Sequence, residues 1–496
     1  MSADPTSPRH EPITREEARA FIDRELRREQ SNKVQHGHPS PALWKPFEAG
    51  RPEEMLEARA PNDNVNVYQG MPFCVGTDPG SCGFCLFPHE DFARGKELDR
   101  WIGYLAREAR LLAPYYGRDT VRSVYFGGDT PSLYRPDQYA RVVGIVDTLY
   151  GGLPDGIEVT LEGLPGLFNE EKFRAMKAAG INRVSMGVQQ ITDHLIALSG
   201  RPQRRHHVLR ALELARKYDM SHSIDLIFGW PDQTERDMLD DLATVVELEI
   251  PHLTHYELNV AGRSAFARMK DRLPTLAEKR RLYHVQKAFL EDNGYVQRTV
   301  YDWQRIDGAG RASDRGEYRY EALMHEFDAP EQAKGEADEV STRQVCGHGY
   351  NAISFFMQGF DGASESWIWA NHRTTREYYA SLDRGELPVA AGFVYAPRDV
   401  EINWLYQRLQ TLRIDERRYR ELFGRDLRDA HGGVFDELAE RGWIEEDPGE
   451  LRVVGDGQPL VPMIQALLSS RRVAEIRRAD KSASGLRGVP VVAEPA

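Results

Sequence analysis

Between residues 61 and 305, short apolar runs alternate with longer amphipathic stretches, and no other feature constrains the fold so tightly. The runs VNVYQGM, VRSVYFG, IEVTLEG, NRVSMGV, HSIDLIFG and HLTHYELNV are short and β-branched, as strands buried on both faces are. Between them lie the helix candidates ELDRWIGYLAREARLL, PDQYARVVGIVDTLY, EEKFRAMKAAG, HHVLRALELARKY and ERDMLDDLATVVELE. Repeated strand-then-helix units predict an α/β fold with a parallel sheet and crossover helices. A closed eightfold barrel needs two further units, and none is visible before residue 300. The expectation is therefore a partial (β/α)6 barrel over residues 61–305.

The flanks read differently. Residues 1–60 are polar and Pro-rich around one helix, which TREE (Thr14 to Glu17) opens as a capping box. They are expected to be an extension with a disordered start, packed on the barrel. Residues 306–399 are a linker and family-specific region, Gly-, Asp- and Glu-rich over 306–345. Over residues 400–470, VEINWLYQRLQTL, DERRYRELFG and GGVFDELAERG read as helices and WIEEDPGELRVV as a hairpin. That pattern predicts a small winged-helix-like α+β domain, followed by a mobile tail at 471–496.

Net charge is −13, which argues against a general nucleic-acid binder, because phosphate asks for a basic surface. No run of about 18 apolar residues predicts a membrane span, and the N-terminus lacks the apolar core of a signal peptide. Four cysteines in 496 residues make no disulfide framework, so a reducing cytoplasm is the expected compartment.

Three of those cysteines, Cys74, Cys82 and Cys85, crowd into MPFCVGTDPGSCGFCLFP. Thiolates ligate zinc and iron–sulfur clusters. His89, four positions after Cys85, would complete a Cys3His zinc site; chance proximity of buried thiols is the third reading. Position favours a reactive cluster, because the cysteines follow the first strand and barrel active sites lie at the C-terminal ends of strands. Three cysteines on a cubane of four irons leave one iron open to a small molecule. Phe84 would put an aromatic face beside that ligand.

The other strand ends carry matching polar groups. YFGGDTPS places Gly127, Gly128, Asp129 and Thr130 after the second strand, where glycine permits close backbone approach. Glu162 ends the third, Gln189 the fourth, and Asp225 lies near the end of the fifth. Together they describe a site for a zwitterionic, ribose-bearing molecule. Cys346, in QVCGHGYNAIS, reads as a core thiol, and His255 and His348 as core or solvated positions.

The sequence resembles radical S-adenosylmethionine (SAM) enzymes of the oxygen-independent coproporphyrinogen III oxidase-like family. YQGMPFC and CGFC resemble its Y-x-H-x-P-F-C and C-x-aromatic-C, and GGDTPS its G-G-G-T-P-S. TLEGLPG, RVSMGVQQ, GRPQ and SIDLIFGWPDQT resemble later family motifs in order, and LFGRDL with ELAERGWIEED its small helical domain. The resemblance implies a 4Fe-4S cluster on Cys74, Cys82 and Cys85, whose open iron chelates SAM. It implies that Tyr68 and the Gly127–Thr130 turn contact the methionine portion, while Glu162, Gln189, Arg201 and Asp225 hold the remaining polar groups. It also implies one or two SAM molecules, an electron donor such as flavodoxin or ferredoxin, and a small-molecule substrate of tetrapyrrole or other type.

The chain departs from the family at several points. Seven residues rather than three separate Cys74 from Cys82, with Thr77 to Gly80 reading as an inserted turn. Gly70 stands for a His, Asp129 for a Gly and Gln203 for a His, and LF follows Cys85 where the oxidases carry another Cys. The favoured function is radical chemistry on a substrate other than coproporphyrinogen, by methyl or methylene transfer or rearrangement. The alternatives are coproporphyrinogen oxidation, a haem chaperone, whose late H-N-x-x-Y-W stretch SWIWANHR does not match, and a zinc-stabilised binding module.

Overall fold

The computed structural model describes residues 11–28, 37–77, 81–93, 95–260, 264–308, 344–360 and 364–484. These fall into two compact units, one within Pro41–Ala396 and the other drawn from Met1–Ser40 and Pro397–Glu494.

The first unit is built on β1 (Val65–Met71), the short pair β2 (Phe73–Cys74) and β3 (Glu90–Asp91), and then β4 (Val121–Gly128), β5 (Glu158–Gly163), β6 (Arg183–Gln189), β7 (Ser221–Phe228) and β8 (His252–Glu257). All six long expected strands are present. β1, β4, β5, β6, β7 and β8 lie side by side in that order, each parallel to the next, with helices in the connections. The sheet is wider than the six units expected. β9 (Tyr295–Gln297) and β10 (Asp302–Arg305) extend it antiparallel beyond β8. Beyond β1 it continues through β11 (Gln344–Gly349), β12 (Ile353–Phe356), β13 (Ser366–Asn371) and β14 (Val389–Tyr395).

β11 pairs parallel with β1, which makes QVCGHG a seventh parallel strand within the stretch read as linker and family-specific region. Its glycines are what the pairing needs. A Cβ at Gly70 would lie 2.1 Å from the Tyr350 carbonyl oxygen, and one at Gly349 would lie 2.5 Å from the Gly70 carbonyl oxygen. Gly70 therefore has no room for a side chain, because the backbone after β11 occupies that space.

Register assigns the two faces of the sheet, since paired residues of parallel strands point the same way. One face carries Asn66, Tyr68, Ser123, Tyr125, Gly127, Thr160, Glu162, Ser185, Gly187, Ser223, Asp225 and Thr254. The other carries Val67, Val124, Phe126, Leu161, Val184, Met186, Ile224, Leu226 and Leu253, all buried. The polar face satisfies itself in part across neighbouring strands: Ser123 Oγ donates to Asn66 Oδ1 (2.7 Å) and Ser223 Oγ to Ser185 Oγ (3.1 Å). Cys346, His348 and His255 fall on the apolar face and are buried, as core residues. Burial holds the imidazoles of His255 and His348 down, to about 3 and about 4, and pushes the Cys346 thiol up to about 12.

A buried acid ties the added strands to the helix Lys96–Tyr116. Glu108 Oε2 accepts from the Gly349 amide (2.6 Å) and the Tyr378 hydroxyl (2.5 Å), and Oε1 from Asn371 Nδ2 (2.6 Å). Burial outweighs these bonds and pushes its carboxyl from 4.5 up to about 7. Between those values the folded protein holds a proton that the unfolded chain has released, so stability falls as pH rises through the window and levels off above it. The denaturation midpoint of Glu108→Gln is expected to fall less from pH 4.5 to 7 than the parent's. Equal pH slopes would show that Glu108 does not carry the effect.

In the second unit, helices Pro397–Gln410, Glu416–Phe423 and Leu427–Glu440 and the three-stranded sheet of β15 (Arg413–Asp415), β16 (Ile444–Asp447) and β17 (Glu450–Val453) form the expected winged-helix-like α+β arrangement. Two expectations change here. The capping box forms as read, with Thr14 and Glu17 bonded reciprocally, but its helix Arg15–Glu25 packs within this unit rather than on the barrel. Arg19 Nε reaches Glu437 at 3.1 Å, Arg471 grips Glu17 at 2.6 Å, and a Cβ at Gly433 would lie 2.4 Å from the Ile13 carbonyl oxygen. The tail expected to be mobile from residue 471 is helical to Ser484, within Val461–Ser484. The start of the chain, residues 78–80 of the inserted turn and most of the 306–345 excursion lie outside the described residues.

Candidate functional site

The cysteine loop leaves the C-terminal end of β1. Cys74 ends β2, which runs parallel to β3, and the loop between them closes through Glu90 N–H to Pro72 O (2.8 Å) and Phe92 N–H to Cys74 O (3.0 Å). Inside it, Cys85 N–H donates to Cys82 O at 2.8 Å. The loop is then fastened from three other strand ends. Gly83 N–H donates to Ser199 O and Gly83 O accepts from Phe266 N–H, both at 2.9 Å. Phe84 packs its ring 5.4 Å from Trp230 and 6.4 Å from Phe266, centroid to centroid. Those three rings adjoin a buried cluster with Leu195 and Leu258. A Cβ at Gly83 would lie 2.5 Å from the Phe266 ring, so only glycine fits beneath it.

The thiols share one neighbourhood. Burial pushes Cys74 up and Cys85 up to about 11, and the Cys82 thiol adds to both. Each also has a donor opposing the rise: Thr130 Oγ1 lies 3.3 Å from Cys74 Sγ, and the Phe87 amide serves Cys85. Among the described residues no three His, Cys, Asp or Glu side chains converge as ligands of one bare ion. A cubane meets its thiolates on separate irons and asks for wider spacing than a single ion does. His89, the fourth ligand of the zinc alternative, meets Phe87 O at 3.2 Å and Asp91 at 4.0 Å instead.

The turn after β4 abuts the end of β1. Gly128 takes φ +99°, and a Cβ there would lie 2.6 Å from the Met71 backbone. At Gly127 a Cβ would lie 2.7 Å from the Tyr125 ring and 2.8 Å from the Tyr68 ring, which stack at 6.0 Å. The close approach read from these glycines is thus made by the protein's own chain. Asp129 N–H donates to Met71 O (3.1 Å), while its Oδ2 is buried and finds no hydrogen-bond partner among the described residues. Burial, then the charge of Glu90, pushes the Asp129 carboxyl up to about 8.

Glu162 sits on the polar face with Asp225, and its carboxyl is also pushed up to about 8, by burial first and then by Asp225 and Asp129. Arg201 and a hydrogen bond from Tyr125 oppose that rise without cancelling it. Arg201 lies 5.4 Å over the Phe84 ring and gives Nη1 to Gly187 O at 2.5 Å, leaving a buried Nε with no partner among the described residues. Gln189 follows at a bulge with φ 68°, uncommon for a residue with a side chain. Gln203, where the family has His, is buried and ties Val188 O at 2.8 Å.

The structure gathers the cysteines, Asp129, Glu162, Asp225 and Arg201 at one end of the parallel strands. Phe84, half-buried, packs its ring against Trp230 and Phe266 with Arg201 over it. Sequence reasoning missed Tyr125, Trp230, Phe266 and Ser199. The only signal for the last three was Gly83 between Cys82 and Cys85, and a lone glycine does not name what lies on it.

A model of the radical SAM superfamily matches residues 68–245, the stretch that carries the ends of β1, β4, β5, β6 and β7. The fold of the Escherichia coli coproporphyrinogen III oxidase HemN, described as a radical SAM enzyme, superposes with a TM-score of 0.72, covering 88% of this chain and 99% of that one at 21% identity. Residues 68–245 are a radical SAM domain, and the fold of the chain is HemN-like. Among curated relatives, the heme chaperone HemW of Bacillus subtilis is 23% identical over 407 residues, 80% of this chain and 96% of that protein. HemW of Haemophilus influenzae is 30% identical over 217 residues, 42% of this chain and 55% of that one. The mouse mitochondrial radical S-adenosyl methionine domain-containing protein 1 is 33% identical over 247 residues, 48% of this chain and 54% of that one. The chain thus spans about half the length of several HemN-like relatives it matches.

Proposed function

We propose that this protein binds a 4Fe-4S cluster through Cys74, Cys82 and Cys85 and uses it to cleave SAM reductively, starting radical chemistry on a small organic substrate. One observation carries the reading. The mouth that holds the three thiols also holds an orphaned acid oxygen, Asp129 Oδ2, and an orphaned guanidinium nitrogen, Arg201 Nε. Buried polar atoms without partners are costly unless a ligand supplies the partners. An amino acid with an ammonium, a carboxylate and a sulfonium suits that pair.

When bound, the cluster supplies the single electron that splits SAM into methionine and a 5′-deoxyadenosyl radical. The chain's own part is placement. Asp129 accepts from the ammonium, Arg201 faces the carboxylate, and Glu162 and Asp225 offset the remaining positive charge. Burial, with neighbouring acids adding to it, raises Asp129 and Glu162 to about 8 in the protein alone; a cation beside them lowers both. Tyr68, Gln189 and the Gly127–Thr130 turn bound the same volume, and the Trp230–Phe266 cluster excludes water from its flank.

Protein purified without oxygen and reduced with SAM alone is expected to release 5′-deoxyadenosine, and candidate tetrapyrroles are expected to change its rate or yield a methylated or decarboxylated product. No nucleoside release from iron-loaded protein would overturn the reading. Asp129→Asn is expected to weaken SAM binding roughly ten- to hundredfold, the worth of a charged hydrogen bond, at unchanged iron content. Equal affinity would remove Asp129 from the site.

A haem-handling role without substrate turnover is the second reading, favoured by the B. subtilis heme chaperone over nearly its whole length. A haem titration followed by its Soret band distinguishes it: stoichiometric haem uptake without a modified product supports this role, and no uptake removes it.

A further inference from the structure

The Gly127–Thr130 turn was expected to touch the methionine portion of SAM. The Thr130 hydroxyl also meets a cysteine. Thr130 is fully buried, and Oγ1 donates to Cys74 Sγ at 3.3 Å across 56 residues of sequence. The backbone dictates the meeting: Gly128 turns the chain at φ +99°, Asp129 N–H fastens the turn to Met71 O, and Leu133 N–H to Thr130 O (2.9 Å) fixes the next residues. Cys74 lies three residues past that same Met71. Cys85 has a donor too, but it is the Phe87 main-chain amide, which any residue but proline supplies. Of these two, only Cys74 takes its hydrogen bond from a side chain, which substitution can delete.

We propose that Thr130 tunes the reduction potential of the cluster through its hydrogen bond to the Cys74 thiolate. This inference rests on the cluster reading above. A donor draws electron density from a ligating sulfur and stabilises the reduced state, which carries one more negative charge, so it raises the potential. No proton transfers and no bond to iron changes. Thr130 is a positioning residue, and its effect is expected in the potential before it is seen in turnover.

The test is a redox titration of the reconstituted full-length protein without SAM, read by the electron paramagnetic resonance signal of the reduced cluster. Thr130→Val, nearly isosteric, is expected to move the midpoint to a more negative value at unchanged iron and sulfide content, and Thr130→Ser to return it towards the parent. The parent's iron–cysteine sulfur stretching bands are expected to shift between H2O and D2O by resonance Raman. The Phe87 amide on Cys85 contributes to that shift in every variant, so the part lost in Thr130→Ala is the part Thr130 carries, and Thr130→Ala serves if Thr130→Val does not fold. An undiminished shift in Thr130→Ala would overturn the role. Equal midpoints for the Thr, Val and Ser proteins would overturn the role of Thr130 while leaving the cluster in place. Absence of any cluster in the parent would overturn both, so the two failures are distinguishable.

Discussion

Cys82→Ala protein, purified without oxygen and reconstituted with iron and sulfide, is expected to lose the broad visible absorption of an iron–sulfur cluster and all 5′-deoxyadenosine release. Cys82 is the most buried of the three thiols, at 7% exposure, and it sits beside the two others on a loop fastened at both ends. Alanine there removes one of three covalent anchors and offers no replacement: the only other cysteine, Cys346, is buried on the opposite face of the sheet. The loss is expected to be complete rather than graded, because a cubane held by two thiolates is exposed to exchange at two irons. The measurement is iron and sulfide per chain with the spectrum of the reduced protein. Retained cluster and retained nucleoside release would refute the cysteine assignment.

Phe266→Ala is expected to cost about 3–5 kcal/mol of stability, as buried phenylalanine truncations do, and to lower cluster retention more than it lowers folded content. The ring is fully buried and lies on Gly83, and it meets Phe84 and Trp230. Removing it opens a cavity directly under the backbone between Cys82 and Cys85. Phe266→Leu refills much of that space and is expected to restore cluster retention. Gly83→Ala attacks the same seat from the other side, since its Cβ would collide with the ring. If both substitutions destabilise the protein while iron per folded chain stays at the parent's level, the clamp does not hold the cluster loop.

The strands were legible because they obey a local rule. VRSVYFG, IEVTLEG and HSIDLIFG announce themselves by β-branched residues between turn and helix signals, and the sheet orders them as the chain does. β11 was not legible. Its partner β1 lies some 280 residues earlier in sequence, and its glycines, needed for close packing on Gly70, look locally like a turn. The cysteines, Asp129, Glu162 and Asp225 were found because strand ends are where such sites form, and charge in a buried stretch is conspicuous. Trp230 and Phe266 went unseen because an aromatic residue in a loop carries no sign of what it covers. Phe84 and Thr130 were found as residues without all their neighbours, since a sequence shows neither the rings beside the first nor the sulfur beside the second.

The helix Arg15–Glu25 shares a unit with helices near the other end of the chain, with all of Pro41–Ala396 standing between them. Bringing together points so far apart on an unfolded polymer costs about 5 kcal/mol in closure entropy, and eleven residues hold a lone helix poorly in water. On the ribosome this segment emerges well before its partners. Vectorial synthesis therefore does not set the order of assembly here, and a stretch made early must wait for helices made hundreds of residues later.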